Sequence, residues 1–413
     1  MADFRVNNNN EQMLDSVVIV GAGQAAAQLV ASLAQDGFTG AVTLVGDEPH
    51  LPYQRPPLSK KYLAGELALD RLYVRPAAFY EKAGTTVMLG TRVERIDRNA
   101  KAVLLGDGTR LSYTTLVLAT GSRARTLPLP GADWEGVFFL RNIADVEALR
   151  ARIAPGKSLV VVGGGYIGLE LTAVAAKLGL KVTVLEQAPR VMARGVGPVV
   201  SRFYERLHRE EGVQIHTGVA VRGIEAGRVV CDGSSYPADL VLIGAGAVPN
   251  VELARAADLA VENGITVDAE CRTSDPTIYA IGDCAAQHHA LFDRRLRLES
   301  VHNALEQGRI AAASICGKPA PIPQVPWFWS DQYDVKLQMV GLSAGHDEAV
   351  VRGDPERSRS FAAFYLRQGV LIAVDAVNRA PEFMMSKQLI ADRARLDPVK
   401  LRDETVAVRN LKG

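Results

Sequence analysis

The chain has 413 residues, of which 48% are hydrophobic and 23% are charged, and its formal net charge is +1. This length predicts two or three domains, and the composition is that of a globular protein with a sizeable core. The near-zero net charge argues against nucleic-acid binding, which requires a strong basic excess. No apolar run reaches the roughly 18 residues that span a bilayer, so we expect no membrane segment.

The four cysteines are scattered and form no C-x-x-C pair. This spacing indicates a reducing compartment and no dithiol chemistry, so we expect a cytoplasmic protein whose cysteines are core residues. The stretch from Met1 to Leu14 is polar and rich in asparagine, and it lacks the basic and apolar regions of a signal peptide. We therefore expect a frayed tail over Met1 to Leu14. Separately, we predict no metal site in this protein.

The first motif begins with an apolar run from Ser16 to Val20, which predicts a buried parallel strand. Gly21, Gly23 and Ala26 then fill the pattern G-x-G-x-x-A. Gly21 allows a tight turn, Gly23 lets the backbone approach a pyrophosphate, and Ala26 is an accepted variant of the third glycine. The sequence therefore predicts a dinucleotide site at the start of the chain.

An acidic residue should follow the second strand of such a fold and bind the ribose hydroxyls. The strand predicted over Ala41 to Val45 is followed by Gly46, Asp47 and Glu48, so the acid comes one residue late. Either Asp47 or Glu48 must reach the ribose, and we favour Asp47.

The next segment, His50 to Lys61, contains Arg55, two prolines and Lys60. Because proline cannot continue a regular helix, the segment should form a stiff loop. The loop either delivers Arg55 and Lys60 toward a cofactor or lies at the surface with solvated charges.

Short alternating strands are predicted from Thr86 to Leu111, with a hairpin turn at Asp107-Gly108. A buried strand then ends in the sequence Ala119-Thr120-Gly121. In flavoproteins that bind two dinucleotides, such a segment closes the first nucleotide fold near the flavin. Arg123, just beyond it, and Arg125 either contact phosphate or ribityl oxygens or are solvated.

A second and complete motif begins with the strand predicted over Leu159 to Val162. Gly163, Gly165 and Gly168 form G-x-G-x-x-G. We expect Ile167, which lies within this motif, to contact the cofactor. A helical pattern from Leu169 to Leu178 and an apolar strand from Val182 to Leu185 follow. Strand, glycine loop, helix and strand together are a specific signal for a dinucleotide site.

Glu186 follows that strand, 23 residues after Gly163, where a carboxylate can bind both ribose hydroxyls of an adenosine. The same carboxylate should repel a 2′-phosphate and favour NADH over NADPH, although Arg190 is close in sequence. Two dinucleotide folds in one chain predict two dinucleotides, a tightly held FAD and a passing NAD.

The sequence Tyr279-Ala-Ile-Gly-Asp283 ends an apolar strand with a carboxylate, and we expect Asp283 to accept a hydrogen bond from a ribityl hydroxyl of FAD. Two Rossmann-like domains therefore alternate along the chain. We predict a discontinuous FAD-binding domain at 1–119 and 250–326, and an NAD-binding domain at 120–249.

Residues 327–413 are predicted to form a C-terminal α+β domain. Strands are expected over Val335 to Met339 and over Phe361 to Val374, the latter broken at Gln368-Gly369, and a helix is expected over Ala380 to Ala394. The segment before them carries Trp327 and Trp329. The fold class is thus α/β of the glutathione-reductase type with an added α+β domain.

The combination of G-x-G-x-x-A, G-D-E-x-x-x-P-Y-x-R-P-P-L-S-K and the later motifs resembles the FAD-dependent NADH:ferredoxin reductases of bacterial oxygenase and P450 systems. The resemblance implies that NADH reduces FAD and that electrons then leave singly to a small acidic [2Fe–2S] ferredoxin. It also implies that Lys60 and Glu170 pair beside the flavin, and that Trp329, more than Trp327, lies where electrons depart.

A basic face would suit such a partner. Residues 387–412 contain seven Lys or Arg against four acids, and Arg294, Arg295 and Arg297 add to them, either as a docking surface or as solvated charge.

Several related functions compete with this interpretation. Disulfide reductases, NADH oxidases and peroxidases of the same fold need a cysteine in the first domain near the flavin, and no cysteine precedes Cys231. A rubredoxin reductase, or a flavin-bearing NADH-sensing interaction protein similar to apoptosis-inducing factor, stays open.

Overall fold

The computed structural model describes residues 15–411. The tail predicted over Met1 to Leu14 and the basic residue Lys412 lie outside these described residues. Between residues 15 and 411, none of the helices has the length and hydropathy of a bilayer-spanning segment.

The first sheet is fully parallel and takes strands from two distant parts of the chain. Its central strand, Ser16–Val20, lies between Thr115–Leu118 and Ala41–Val45. The edges are Thr85–Met88 and Ile278–Ala280. The helices Gln24–Asp36 and Val301–Ile315 pack together on one face, and the short helix Ala77–Lys82 lies beside the edge strand.

The second sheet is also parallel and comes from one continuous stretch. Its strand order is Gln214–Thr217, Lys181–Glu186, Ser158–Val162, Leu240–Ile243 and Val137–Phe138. Its helices are Ile143–Arg150, Tyr166–Lys177 and Pro198–Glu210. After an initial serine, both central strands consist of valine, isoleucine and leucine, because each parallel sheet is covered on both faces.

Smaller sheets connect these layers. The residues between 88 and 115 form an antiparallel sheet with a turn at Asp107-Gly108, as predicted. The strands and the short helices of the connections are Val93–Asp97, Ala102–Leu105, Arg110–Ser112, Ser122–Ala124, Val221–Glu225, Arg228–Cys231, Ser234–Pro237, Ala247–Pro249, Glu252–Ala256, Val261–Glu262, Gly264–Val267, Ala285–His289 and Arg294–Leu296.

The C-terminal sheet is antiparallel, in the order Trp327–Gln332, Val335–Gly341, Val370–Val377, Phe361–Arg367 and Glu348–Gly353. The helices Ala380–Ala391 and Pro398–Arg402 complete this unit. The predicted break at Gln368-Gly369 is a two-residue hairpin turn in which both residues have positive φ, 52° and 76°.

The helix predicted to reach Ala394 ends three residues earlier, at Ala391. Arg393 takes a left-handed φ of 49°, and its amide and that of Ala394 bond back to the carbonyl oxygens of Ile390 and Leu389. This reversal terminates the helix even though the apolar pattern continues.

The observed architecture is therefore the predicted one, with two Rossmann-like α/β units and a C-terminal α+β unit. The strands of the first sheet come from segments that precede and follow the second sheet in the sequence. The domain boundaries at residues 119, 250 and 327 stay predictions.

A buried acid lies where the C-terminal sheet meets the second unit. Asp375 accepts a hydrogen bond of 2.6 Å from the hydroxyl of Tyr365, and that hydroxyl accepts one of 3.0 Å from the amide of Gly197. Burial raises the pKa of Asp375 to about 7. Because the folded-state pKa is raised, the stability contributed by protonated Asp375 is complete below its unfolded-state pKa and is lost as pH rises toward 7.

We therefore expect Asp375→Asn to flatten the part of the stability profile that falls between about pH 4 and pH 7. The loss in the unsubstituted protein should be on the order of 3 kcal/mol, observed as a lower melting temperature at pH 8 than at pH 5. Glu356→Gln, at an exposed acid of the same unit, is the matched control. A pH profile unchanged in Asp375→Asn would contradict this assignment.

Candidate active site

A single cleft of about 1410 Å³ runs between the two parallel sheets. Both glycine loops, the 55–60 loop and the strand Trp327–Gln332 line it. Each loop follows the carboxyl end of the central strand of its sheet, where open parallel sheets bind ligands. The volume exceeds that of a pocket for one small ligand, so two extended ligands can meet inside it.

The glycine loops fit a pyrophosphate on each side. Gly21 has φ of 106° and Gly163 of 108°, and a Cβ atom on them would lie 2.3 Å and 2.5 Å from the carbonyl oxygens of Ala119 and Gly244. Only glycine is tolerated at both turns.

The second glycine of each motif is required for a different reason. Apart from the adjoining backbone, a Cβ atom on Gly23 or Gly165 would meet no atom of residues 15–411 within 4 Å, so it would project into the open cleft. Both glycines are the N-caps of helices that have no side-chain cap, which leaves backbone N–H groups free for an anion. The residues present therefore fit the phosphates of two dinucleotides.

The third position of each motif packs the helix against the strand. Ala26 is fully buried, and a Cβ atom on Gly168 would lie 2.4 Å from the carbonyl oxygen of Gly163. The first helix thus accommodates a methyl group where the second accommodates only hydrogen. Ile167 is 44% exposed and lines the cleft, beside the second pyrophosphate site.

Glu186 lies at the end of its strand and faces the second loop. Its carboxylate accepts hydrogen bonds of 2.7 Å from the amides of Gly164 and Ala188. Arg190 is committed elsewhere, because its guanidinium donates to the Ser201 hydroxyl and to two carbonyl oxygens of the 193–196 loop. It is therefore not free to bind a 2′-phosphate.

The acid of the first motif comes late because no side chain fits at Gly46, where a Cβ atom would lie 2.5 Å from the Cβ of Ala22. Glu48 is already engaged by the Tyr53 hydroxyl at 2.6 Å and by Arg55 at 2.8 Å. Asp47 is exposed, lines the cleft and has no such partner within the described residues. This arrangement favours Asp47 as the ribose ligand.

The 55–60 loop contains a single 3-10 turn, Pro56–Ser59, which the two prolines begin. Besides Glu48, Arg55 binds the Tyr53 hydroxyl at 3.0 Å and the carbonyl oxygen of Arg141 at 2.6 Å. The guanidinium is thus fixed at the cleft wall by the protein itself.

Among the described residues, hydrogen bonds reach only one carboxylate oxygen of Asp283. Its Oδ2 accepts 2.8 Å and 2.9 Å hydrogen bonds from the Ser122 hydroxyl and the Arg141 guanidinium. Oδ1 has no hydrogen-bond partner in the described part of the chain, and the residue lines the cleft. A ligand hydroxyl can donate to that oxygen.

Arg141 was missed in the sequence, whereas Arg123 was assigned a cofactor contact that the structure does not support. Arg123 pairs with Asn250 at 2.7 Å and with Glu252 at 2.8 Å, and it is not among the residues lining the cleft. It lies in the edge strand Ser122–Ala124, where alternation turns its side chain away. Nothing in the local pattern around Arg141 signals its ion pair with Asp283.

Lys60 and Glu170 form an ion pair of 2.6 Å at the base of the cleft. The two side chains are 17% and 5% exposed. Ser59 donates to the same carboxylate oxygen at 2.6 Å, and Ser330 donates to the other at 2.7 Å. The predicted pair is therefore present, and it joins the 55–60 loop to the helix that follows the second glycine loop.

Trp329 and Trp327 also line the cleft, with ring centroids 5.5 Å apart. Phe328, between them, packs on Tyr166 at 5.0 Å. The ammonium group of Lys387 lies 4.5 Å above the Trp327 ring. The aromatic rings thus extend from the cleft toward a basic side chain of the C-terminal unit.

Comparison with known proteins supports the same assignment. The profile of the pyridine nucleotide-disulphide oxidoreductases matches residues 15–308, and a reductase C-terminal profile matches residues 327–412. The chain belongs to the pyridine nucleotide-disulphide oxidoreductase family. These profiles, together with the ferredoxin reductases described next, confirm the family resemblance drawn from the sequence motifs.

Individual relatives cover nearly the whole chain. Putidaredoxin reductase of Pseudomonas putida is 47% identical over 408 residues, 96% of each protein. The ferredoxin–NAD(+) reductase component of the anthranilate 1,2-dioxygenase system of Burkholderia cepacia is 42% identical and covers 96% of this chain and 98% of that protein. The crystal structure of the covalent putidaredoxin reductase–putidaredoxin complex matches with a TM-score of 0.94 at 46% identity, over 96% of this chain and 98% of that chain.

Disulphide chemistry, which the family description mentions, has no thiol in this cleft. Cys231, Cys271 and Cys284 are buried, Cys316 is half-buried, and none of the four lines the cleft. Burial raises the pKa of the Cys284 thiol, which donates to the Ile281 carbonyl oxygen. A neutral, enclosed thiol is a poor nucleophile.

Glu186 yields a testable prediction about coenzyme choice. Glu186→Gln removes the charge that would repel a 2′-phosphate, so the ratio of kcat/KM for NADPH to that for NADH should rise by roughly tenfold. Glu135→Gln, at an exposed acid of the same unit, should leave the ratio unchanged. Equal use of both coenzymes by the unsubstituted protein would contradict the role given to Glu186.

Proposed function

We propose that this protein is an FAD-dependent NADH:ferredoxin oxidoreductase that supplies electrons to a P450 or ring-hydroxylating oxygenase through a small acidic [2Fe–2S] ferredoxin. The observation that carries the proposal is the single cleft, in which two pyrophosphate-binding loops face one buried ion pair. Putidaredoxin reductase and the dioxygenase reductase component, both similar over almost the full chain, favour a ferredoxin as acceptor.

The first loop would hold FAD and the second NADH. Asp47 would bind the ribose of FAD, Arg55 its phosphates and Asp283 a ribityl hydroxyl, while Glu186 would bind the ribose of NADH. The carbonyl oxygen of Ala119 packs against Gly21 of the first glycine loop and leaves no room for a Cβ atom there. When bound, FAD accepts a hydride and returns electrons singly, which nicotinamide alone cannot do.

Lys60 supplies positive charge in a water-poor part of the cleft. Its ammonium group is held by Glu170 at 2.6 Å and by the carbonyl oxygen of Pro56 at 3.2 Å. A fixed ammonium stabilises negative charge that develops nearby during reduction, and it needs no reorganisation to do so. Glu170 acts through Lys60 by fixing its position.

Electrons would leave past Trp329, where the cleft reaches the C-terminal unit. Lys387, Arg393 and Lys400 are candidates for steering an acidic acceptor. The predicted docking role of Arg297 is wrong, because its side chain is only 11% exposed and is bound to Glu299 and to the carbonyl oxygen of Asp283. Arg295 is partly neutralised by Glu262 at 3.6 Å.

Other expectations accompany the proposal. The division at 1–119 with 250–326, 120–249 and 327–413 and the cytoplasmic location stay predictions. Rubredoxin as acceptor, or an NADH-sensing interaction role similar to that of apoptosis-inducing factor, are the alternatives.

The role of Lys60 can be tested directly. Lys60→Ala should slow reduction of bound FAD by NADH roughly 10- to 100-fold in stopped-flow measurements, because the fixed positive charge is lost, while FAD remains bound. Lys61→Ala, at the exposed neighbouring lysine, should have no effect. An unchanged rate in Lys60→Ala would exclude Lys60 from the reaction.

The acceptor can be tested by NADH-dependent reduction of cytochrome c with added iron–sulfur proteins. We expect rapid turnover with an acidic [2Fe–2S] ferredoxin and a rate that falls steeply with ionic strength. Faster turnover with rubredoxin would select that alternative. A long-lived NADH–flavin complex without turnover on either acceptor would favour the sensing role.

A further inference from the structure

A chain of buried polar groups extends from Glu170 away from the cleft. The Ser330 hydroxyl bonds Glu170 Oε1 at 2.7 Å, Gln332 Nε2 bonds Ser330 Oγ at 3.1 Å, and Gln332 Oε1 lies 2.8 Å from His208 Nε2. The Tyr333 hydroxyl lies 3.1 Å from His208 Nδ1. Ser330, Gln332 and His208 are 0%, 1% and 0% exposed, so water does not compete for these bonds.

The carboxylate fixes the direction of every hydrogen bond in this chain. A carboxylate only accepts, so the single Ser330 proton is donated to Glu170, and Ser330 Oγ must receive its own bond from the Gln332 amide. Gln332 therefore turns its oxygen toward His208, whose Nε2 must carry the proton. His208 Nδ1 is then the acceptor for the Tyr333 hydroxyl.

The environment of His208 is consistent with that neutral tautomer. Burial lowers the pKa of His208 to about 4, so the ring is uncharged near neutral pH. Tyr333 packs edge-on against the ring at 5.0 Å. It takes a left-handed φ of 57° in the turn between Gln332 and Val335, a conformation that costs a non-glycine residue about 1 kcal/mol or more.

This series of hydrogen bonds also explains the sequence pattern of the strand Trp327–Gln332. Side chains alternate between the two faces of a strand. Trp327 and Trp329 face one way, and Ser330 and Gln332, at alternate positions, share the opposite face toward the helix Pro198–Glu210. One strand thus supplies both the aromatic wall of the cleft and the support of its ion pair.

We propose that Ser330, Gln332 and His208 are positioning residues that orient Glu170 and, through it, Lys60. This inference rests on the proposed function, because the orientation matters only if Lys60 serves the reduction of FAD. One carboxylate oxygen of Glu170 is held by this series of hydrogen bonds, so the other oxygen stays directed at Lys60 and Ser59. These hydrogen bonds connect the strand Trp327–Gln332 to the helix Tyr166–Lys177, on which Glu170 lies.

The test uses the holoprotein with His208→Leu, which removes the donor to Gln332. Reduction of FAD at saturating NADH should slow about three- to tenfold, as expected for one lost hydrogen bond, with an unchanged Kd for NADH. His208→Gln should restore most of the rate, because the glutamine Nε2 can donate from the same place. If His208→Leu does not fold, Gln332→Met interrupts the chain from the other side.

Tyr204→Phe is the matched control. Tyr204 lies on the same helix one turn before His208, and its buried hydroxyl has no hydrogen-bond partner among residues 15–411. Equal effects of His208→Leu and Tyr204→Phe, or no restoration by His208→Gln, would overturn the proposal. In a Glu170→Gln background, His208→Leu should change the rate by less than about twofold, because the two residues act through one carboxylate.

Two readouts do not depend on turnover. The ¹⁵N NMR spectrum of His208 should show the neutral Nε2–H tautomer, and a charged or Nδ1–H ring would overturn the proposal. The midpoint potential of bound FAD should shift in His208→Leu and not in Tyr204→Phe. If the unsubstituted protein binds FAD but is not reduced by NADH, the proposed function fails together with this role, whereas a failure confined to His208→Leu contradicts the positioning chain alone.

Discussion

The ion pair between Lys60 and Glu170 is the interaction on which the rest of the site depends. A buried pair is stable only where further hydrogen bonds replace the water that both charges have lost. Here the carboxylate receives Ser59 and Lys60 on one oxygen and Ser330 on the other. These donors come from the 55–60 loop and the C-terminal sheet, while Glu170 itself lies on the helix that follows the second glycine loop. The fully hydrogen-bonded pair therefore draws groups from all three units.

Around this pair, some polar groups are already hydrogen-bonded to other protein groups, whereas others face the cleft and can bind a ligand. Glu48, Arg55 and Arg141 hold one another at the cleft wall, and they keep one oxygen of Asp283 occupied. The other Asp283 oxygen, the exposed Asp47 and the uncapped helix ends face the cleft. Such preorganisation lowers the cost of binding, since few side chains must be ordered when a dinucleotide arrives. The backbone provides the phosphate sites, and a few fixed side chains provide orientation.

Sequence patterns predicted what is encoded locally. The glycine loops, their strands and Glu186 were found because a turn, a helix start and a strand end each need particular residues at fixed spacing. The Lys60–Glu170 pair came from family resemblance, since no spacing relates residues 110 positions apart. Arg141, the Ser330–His208 chain and the misassigned Arg123 and Arg297 depend on which distant segments meet, and on which way a short edge strand turns its side chains. The early end of the last long helix depends on a single left-handed residue, Arg393, that no periodicity marks.

The central claim is that one polypeptide would bind FAD and NADH in the same cleft, beside the Lys60–Glu170 pair. The most direct measurement is an anaerobic titration of the purified protein with NADH, followed by the absorbance of its flavin. We expect a yellow protein with about one FAD per chain that is bleached by about one equivalent of NADH. A colourless protein that takes up no FAD on supplementation, or a bound flavin that NADH does not bleach, would contradict it.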